Sequence, residues 1–319
     1  MMFWRSPKAF RMLLTAFTAA SAVLVTVTNA QVPESASSSS AEEDGPITPI
    51  PESPQADARK LALGERLFGD MRLSAGERLS CATCHDVTTN GAYVDHKQPK
   101  SGRFDVPTVF NAALSYRLTW TGKFRTLSEQ ARASIEDPSG MSGKLEEIVP
   151  KLRADRALDE AFREAYGRPI GSESIVDALV TFEKSLLTPG SRFDKWLQGD
   201  ASAITATELE GYRTFNTLGC SSCHQGVNVG ANLITRQGIF LPLVPSGPRQ
   251  VRVPSLRNVE ATAPYFHDGS APTLEDAVRR MAAAQLDRIL TDEQVVSILA
   301  FLNTLTGNFR GKPVAKGGP

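Results

Sequence analysis

The sequence predicts an all-α protein of two small domains, and three observations lead to that fold class. From residue 56 onward, apolar residues recur three and four positions apart, which is the spacing of one buried helix face. No segment shows the sustained alternation of polar and apolar residues that marks a half-buried strand. An internal repeat divides the chain into two comparable parts. With 319 residues, the chain is long enough for each part to bury its own core.

The N-terminus, residues 1–30, is predicted to be a secretory signal. Three basic residues precede an apolar stretch at 12–28, and small residues around Ala30 suit cleavage there. An uncleaved membrane anchor is the alternative, because the apolar stretch approaches the shortest length that spans a bilayer. The Thr, Ser and Ala residues within it favour cleavage. In both cases we expect the folded part to lie outside the cytoplasm, in the periplasm.

The next segment, residues 31–56, has the composition of a disordered linker. Four consecutive serines, three consecutive acidic residues and five prolines give it too few apolar side chains to build a core. We therefore expect the folded domains to cover residues 57–190 and 191–312.

Several amphipathic segments are predicted to form the helices of these domains. A first helix begins at Ala58 and runs into Gly69, and four longer helical patterns cover residues 145–166, 174–187, 205–218 and 292–305. Thr205 and Thr291 are suitable N-caps, since Glu208 and Gln294 follow three residues later.

The repeat is found by aligning Pro107 with Pro254. Further pairs then match without a gap: Val106 with Val253, Asn111 with Asn258, Gly122 with Gly269, and Thr126-Leu127 with Thr273-Leu274. Each copy follows a Cys-x-x-Cys-His motif, so two copies of one haem domain are the simplest explanation.

The motifs Cys81-Ala82-Thr83-Cys84-His85 and Cys220-Ser221-Ser222-Cys223-His224 predict covalent attachment of two haem c groups. Two cysteines three positions apart can bond to one porphyrin edge, and the following histidine, His85 or His224, can bind the iron. Disulfides and a zinc site are alternatives. However, 135 residues separate the two pairs, and a histidine follows both, which favours haem. We therefore expect two cytochrome c-like domains.

The candidates for the second axial ligand of each iron differ between the two domains. Met281, 57 residues after His224, is the expected ligand of the second haem, whereas the repeat places Ser134 at the matching position of the first. Serine is not a useful iron ligand, so the first haem should have an open or displaceable site. His96, in the loop 91–102, and Met141 are its possible occupants.

Trp120 is aligned with His267, in the segment expected between the domains. An aromatic ring there could carry electrons between the haems, although a lone tryptophan is more often part of a core.

The balance of charge argues against some partners. The chain has 35 basic and 35 acidic residues, so nothing suggests a surface that binds nucleic acid or a polyanionic substrate.

From about residue 57 to 307 the chain resembles the bacterial di-haem cytochrome c peroxidase and MauG family. Besides both haem motifs, Trp120 and Met281, the matching segments are Leu63–Phe68, Pro107–Ala112, Pro254–Asn258 and Tyr265–Gly269.

The resemblance implies a peroxidatic haem at His85 and an electron-entry haem at His224. It implies that Met281 is an axial ligand, that Trp120 lies between the haems, and that His96 is a removable distal ligand. Other implied roles are a polar contact in the peroxide pocket from Gln130, and an interdomain calcium ion held near Asp105, Thr262 and Pro264.

One departure from the family concerns proton transfer. The family usually has a glutamate just before a methionine, after an Asn-Pro-type turn, but here Gly140 precedes Met141. Such a carboxylate would move a proton while the peroxide bond breaks. Glu136 or Asp137 could act in its place through a water molecule.

The predicted function is reduction of hydrogen peroxide to water with electrons from a small periplasmic cytochrome c or cupredoxin. A MauG-like oxidation of Trp or Tyr in a partner protein is one alternative; Met281 argues against it, since MauG has a tyrosine there. The other is a non-catalytic di-haem electron carrier. Members of the family often dimerise, so a homodimer is possible.

Overall fold

The structure is a computed structural model that describes residues 45–92, 104–245 and 247–317. Helices dominate these ranges: α1 Ala58–Phe68, α2 Cys81–Cys84, α3 Leu127–Glu136, α4 Leu145–Arg153, α5 Arg156–Tyr166, α6 Ser172–Ser185, α7 Arg192–Leu197, α8 Ala206–Thr217, α9 Leu274–Leu286 and α10 Asp292–Asn303. Short 3-10 helices lie at Met71–Leu73, Ala112–Leu114, Cys220–Ser222 and Val259–Ala261. In this part of the chain, no helix is both long and apolar enough to cross a membrane.

Most of the predicted helices are confirmed, with one division. The pattern over residues 145–166 forms two helices, because Asp155 accepts a hydrogen bond from the Leu158 backbone N–H and thereby begins α5. Thr205 and Thr291 are N-caps as predicted, and Glu208 and Gln294 complete both capping boxes.

The expectation of no strands is wrong for two short hairpins. Strand β1, Ile234–Arg236, pairs antiparallel with β2, Gln250–Arg252, so that Thr235 lies opposite Val251. Strands β3, Asn308–Phe309, and β4, Lys312–Pro313, form the second hairpin. Strands of two or three residues are too short for an alternating pattern to be recognised in the sequence.

Two hydrophobic cores form around two helix pairs. In the first core α1 packs against α6, and in the second α8 packs against α10. Gly64 lies against the Ala178 carbonyl group, and Gly211 lies against the Ser297 carbonyl group. A side-chain carbon at either glycine would collide with that carbonyl group, so glycine allows the two helices of each pair to approach closely.

The internal repeat is confirmed by the backbone of both copies. Asn111 and Asn258 adopt the same left-handed conformation, with φ of 60° and 59°. The isolated β-bridge Leu118–Phe124 has its counterpart in Tyr265–Ala271, and the 3-10 helix Ala112–Leu114 corresponds to Val259–Ala261.

Thr188 connects the two copies. Its hydroxyl oxygen accepts hydrogen bonds from the side-chain amides of Asn111 at 2.8 Å and Asn258 at 3.0 Å. All three side chains are buried, so these bonds satisfy polar groups that water cannot reach. The described residues belong to one compact unit, and the division at residue 190 remains a prediction.

The prediction that residues 31–56 build no core is wrong for residues 47–50. Ile47 is buried in the second core, and Ile50 is buried as well. The Thr48 carbonyl accepts a hydrogen bond from Arg257, which also forms a buried ion pair with Asp194 at 2.7 Å. Two isoleucines among prolines, together with the backbone bond to Arg257, hold the segment although its composition is that of a linker. The predicted signal, residues 1–30, lies outside the described residues.

Candidate haem sites

Both Cys-x-x-Cys-His motifs line one mainly apolar cavity of about 730 Å³. Its wall also contains Trp120, Gln130 and Met281. The residues of both predicted sites are therefore brought together around a space between the two cores.

The first motif is held by the short helix α2. The Ser80 backbone N–H donates a hydrogen bond to the Thr83 hydroxyl group at 2.9 Å, which fixes the start of the helix. Cys81 and Cys84 are then on one helical turn. His85 follows immediately, and its Nδ1 lies 3.2 Å from the Gly91 carbonyl oxygen.

The second motif begins with the 3-10 helix Cys220–Ser222 and repeats this histidine geometry. His224 is buried, and its Nδ1 lies 3.3 Å from the Val229 carbonyl oxygen. A carbonyl oxygen can only accept a hydrogen bond, so Nδ1 carries the proton in both histidines and Nε2 keeps its lone pair. A histidine that binds iron needs this arrangement.

Burial favours the neutral forms of the motif histidines and cysteines. Desolvation lowers the pKa of His85 and lowers that of His224 to about 4, so both imidazoles stay neutral and able to bind a metal. Desolvation also raises the pKa of the Cys81 thiol to about 12 and that of Cys220 to about 11. A zinc site needs thiolates, and no cluster of three or more His, Cys, Asp or Glu side chains suited to a metal occurs in the described ranges.

A buried arginine in the cavity wall completes the fit to haem. Arg252 lines the cavity, and its Nε donates a hydrogen bond to the Thr119 carbonyl group at 3.0 Å. Desolvation lowers its pKa to about 10, and no described carboxylate opposes this shift. A buried cation of this kind is a suitable partner for a haem propionate.

The two predicted axial positions face the same cavity with different side chains. Met281, on α9, lines the cavity and contacts a small apolar cluster that includes Phe266 and Leu243. Ser134, on α3, also lines it, and its hydroxyl group accepts a hydrogen bond from Gln130 at 2.6 Å. At the position that corresponds to the Met281 thioether, the first half therefore has the Ser134 hydroxyl group, hydrogen-bonded to the Gln130 amide.

Met141 also lines the cavity, packed against the first core. It therefore remains a possible occupant of the first distal site. His96 lies outside the described residues, and its role stays a prediction.

Trp120 and its repeat counterpart His267 are in contact. Their ring centroids are 6.2 Å apart in an edge-on arrangement, and the Trp120 indole N–H donates a hydrogen bond to the Asp105 carbonyl group at 2.7 Å. The sequence offered His267 as one of five conventional iron ligands but assigned it to neither haem, and its alignment with Trp120 was the available signal for this contact.

The predicted calcium residues lie in the segments around this pair. The Asp105 backbone N–H donates to the His267 carbonyl group at 2.8 Å, which links the segments that carry Asp105 and Pro264. The Thr262 hydroxyl group donates to the Val259 carbonyl group at 3.1 Å. Calcium binding remains a prediction.

Sequence reasoning missed one buried acid. Glu183, on α6, lines the cavity and is only 9% exposed, and its Oε2 has no hydrogen-bond partner among the described residues. The sequence signal was weak, because a glutamate near the end of an amphipathic helix is usually solvated.

Comparison with known proteins gives the family. Residues 58–202 match the family described as di-haem cytochrome c peroxidase. Cytochrome c551 peroxidase of Nitrosomonas europaea is 38% identical over 287 residues, which are 82% of this chain and 84% of that protein. The chain belongs to the di-haem cytochrome c peroxidase family. As a member, it is a peroxidase-type oxidoreductase.

Other relatives of this peroxidase extend the comparison. Cytochrome c peroxidase Ccp of Escherichia coli is 38% identical over 286 residues, and this chain spans 61% of its length. Methylamine utilization protein MauG of Methylorubrum extorquens is 32% identical over 71% of this chain and 69% of that protein. The crystal structure of a MauG-like protein associated with microbial copper homeostasis superposes with a TM-score of 0.67 at 26% identity, covering 82% of this chain and 93% of that one.

Proposed function

We propose that this enzyme reduces hydrogen peroxide to water in the periplasm, with two electrons from a small redox protein such as a cytochrome c or a cupredoxin. The observation that carries the proposal is the difference between Met281 and Ser134 at matching positions of one cavity. One iron would be closed by a thioether, and the other would be open to peroxide.

Two haem c groups would be attached through the four cysteines, with His85 and His224 as the proximal ligands. When bound, haem supplies an iron that stores and transfers single electrons. The carbonyl groups of Gly91 and Val229 fix the orientation of the two imidazoles, and Arg252 would hold a propionate.

Electron entry belongs to the second site in this proposal. Met281 would favour the reduced state of an iron bound there, because a thioether is a weak donor that favours the lower oxidation state. Trp120, which contacts His267, would lie on the route from the second site to the first.

Peroxide binding belongs to the first site. Gln130 and Ser134 already form a hydrogen bond at 2.6 Å, so one of them can instead bind a peroxide oxygen. His96 would leave the iron before peroxide enters. A calcium ion near Asp105, Thr262 and Pro264 would keep the connecting segments in place.

Asp137 is the side chain that can replace the carboxylate missing at Gly140. It lines the same cavity, and hydrogen bonds from the Ser139 hydroxyl group and backbone N–H lower its pKa. Asp137 is therefore ionised at neutral pH and can accept a proton from peroxide through a water molecule.

Stopped-flow spectroscopy tests the proposal. Peroxide is mixed with the fully oxidised and the half-reduced enzyme, and turnover is followed with a reduced cytochrome c as donor. We expect fast turnover only after half-reduction. An enzyme with two bound haems that does not react with peroxide in either state would be a carrier, and the proposal would be wrong.

A MauG-like oxidation of a partner protein is the second candidate, favoured by Gly140 and by the MauG relative. It predicts a long-lived, highly oxidised spectrum when the fully oxidised enzyme meets peroxide. Met281 argues against it.

Sedimentation analysis of the exported protein would determine whether it is a dimer.

A further inference from the structure

The α6 helix of the first core corresponds to α10 of the second. Asn111 donates its backbone N–H to the Leu186 carbonyl group, and Asn258 donates its own to the Leu305 carbonyl group. The same correspondence places Glu183 at the position of Leu302 in the other half. Both side chains line the cavity. A carboxyl group therefore faces the first haem site where an apolar side chain faces the second.

Among the described residues, nothing compensates the charge of Glu183. No ion pair with it occurs there, and its buried Oε2 has no hydrogen-bond donor in the same ranges. Desolvation raises its pKa to about 8, and its charge acts on Cys81, one of the two cysteines of the first motif. The carboxyl group consequently lies close to the edge where the first haem would be attached.

Charged side chains of the neighbouring helices are engaged elsewhere. Helices α1, α3 and α4 pack against α6. Their charged residues pair with other groups: Arg59 with Asp57, Lys60 with Asp177, Glu65 with Arg310, Arg66 with Asp155, Arg132 with Glu173, Glu147 with Lys144, Lys151 with Glu77, and Arg153 with the Ile170 carbonyl group. Glu129 accepts from backbone N–H groups, Glu136 lies near Arg132, and Glu146 is exposed to solvent. The 3-10 helix Ala112–Leu114, which also packs against α6, has no charged residue. Among the described residues of these elements, none is left to exchange charge with Glu183, so a bound haem iron would be the main charge that changes near it.

We propose that the Glu183 carboxyl group couples the oxidation state of the first haem to a proton. It takes up one proton from solvent when that haem gains one electron from the donor protein, and it releases the proton when the electron leaves. The physical reason is electrostatic: an oxidised haem has a net positive charge that favours the carboxylate, and a reduced haem does not. In the low-dielectric cavity this interaction is poorly screened. The inference rests on the proposed haem at His85.

Potentiometric titration of each haem at several pH values, on either side of the Glu183 pKa, tests the proposal. We expect the midpoint potential of the first haem to fall as pH rises, by up to about 59 mV for each tenfold decrease in proton concentration. The slope should be lost in E183Q, which preserves shape, and in E183L, which copies the residue of the second half. The second haem, which faces Leu302, should show little change.

Matched controls separate this effect from others. E173Q removes an exposed carboxylate from the same helix and should keep the wild-type slope. His96 is a second titratable group proposed for the first site, so the E183Q comparison is repeated in an H96A background.

Three outcomes would overturn the inference. The first is a first-haem potential that does not depend on pH in the wild type, and the second is an unchanged slope in E183Q. The third is an E183Q enzyme with normal potentials but slow peroxide cleavage, which would make Glu183 an acid–base residue. Failure of the proposed function is recognised separately, because the two-haem enzyme would then not react with peroxide in the stopped-flow experiment, whereas the potential titration requires no turnover.

Discussion

The two halves of the molecule share a backbone but differ at the side chains that face the cavity. Asn111 and Asn258 have almost the same φ, and the histidines of both motifs donate Nδ1–H to a backbone carbonyl group. In contrast, the first half has Ser134, Trp120 and Glu183 at the positions where the second has Met281, His267 and Leu302. The common backbone is suited to hold a haem, and a few substitutions determine the chemistry of each site.

A second difference concerns the buried polar interactions that stabilise each half. Arg257 and Asp194 form an ion pair in the second core, with both side chains 1% exposed, and the repeat places Phe110 at the position of Arg257. Residues 47–50 cover this region as well. The proposed electron-entry site therefore depends on a buried polar network that the first core lacks at the matching position.

The largest expected effect comes from breaking this network. D194A should lower the free energy of unfolding by about 3–5 kcal/mol, because it leaves the Arg257 guanidinium buried without its partner. Denaturant unfolding of the haem-loaded enzyme measures the change. D177A, which removes the exposed partner of Lys60, should cost no more than about 1 kcal/mol. An equal loss of unfolding free energy in D194A and D177A would show that the buried ion pair contributes no more than an exposed one.

A methionine at position 134 should remove most of the difference between the two proposed haem sites. S134M gives the first half the residue of the second, so the methionine can occupy the position where peroxide binds. We expect peroxide turnover to fall on the order of 100-fold, equivalent to about 2.7 kcal/mol in the barrier. Turnover is measured with a reduced cytochrome c. S134A, which adds no ligand, is the control, and a loss of the same size there would exclude ligand closure as the cause.

The connection between the halves should be sensitive to one hydroxyl group. T188V leaves the buried side-chain amides of Asn111 and Asn258 without their acceptor, and we expect a loss of about 2 kcal/mol in the free energy of unfolding. T188S keeps the hydroxyl oxygen and should lose much less. Thermal unfolding of both variants gives the comparison, and equal stability of T188V and wild type would contradict the role of Thr188.

The smallest effect is expected at the polar pair of the first site. Q130L removes the amide that donates to Ser134, and turnover should fall about tenfold, equivalent to about 1.4 kcal/mol in the barrier. Both haem potentials should stay unchanged. If Q130L instead shifts a potential, Gln130 acts on the haem and not on peroxide.

The sequence alone was sufficient for features set by residues close together in the chain. The helix starts at Thr205 and Thr291 follow from side chains three residues apart, and the haem motifs are five-residue patterns. The repeat was also recognisable, because its two copies align without a gap. The division at Asp155 and the short hairpins were missed, since these features are shorter than the periodicity that a pattern requires.

Only the tertiary structure decided which distant groups became neighbours. Thr188 meets Asn111 across 77 positions, and Arg257 reaches Thr48 across 209. In the sequence, Glu183 cannot be distinguished from a solvated helix residue. The packing of α6 places it in the cavity wall near the first motif. The sequence by itself thus determined the presence of two haem motifs and the unequal residues, Ser134 and Met281, at matching positions of the repeat. Packing determined what surrounds each site, because burial and the loss of water arise only when distant segments meet.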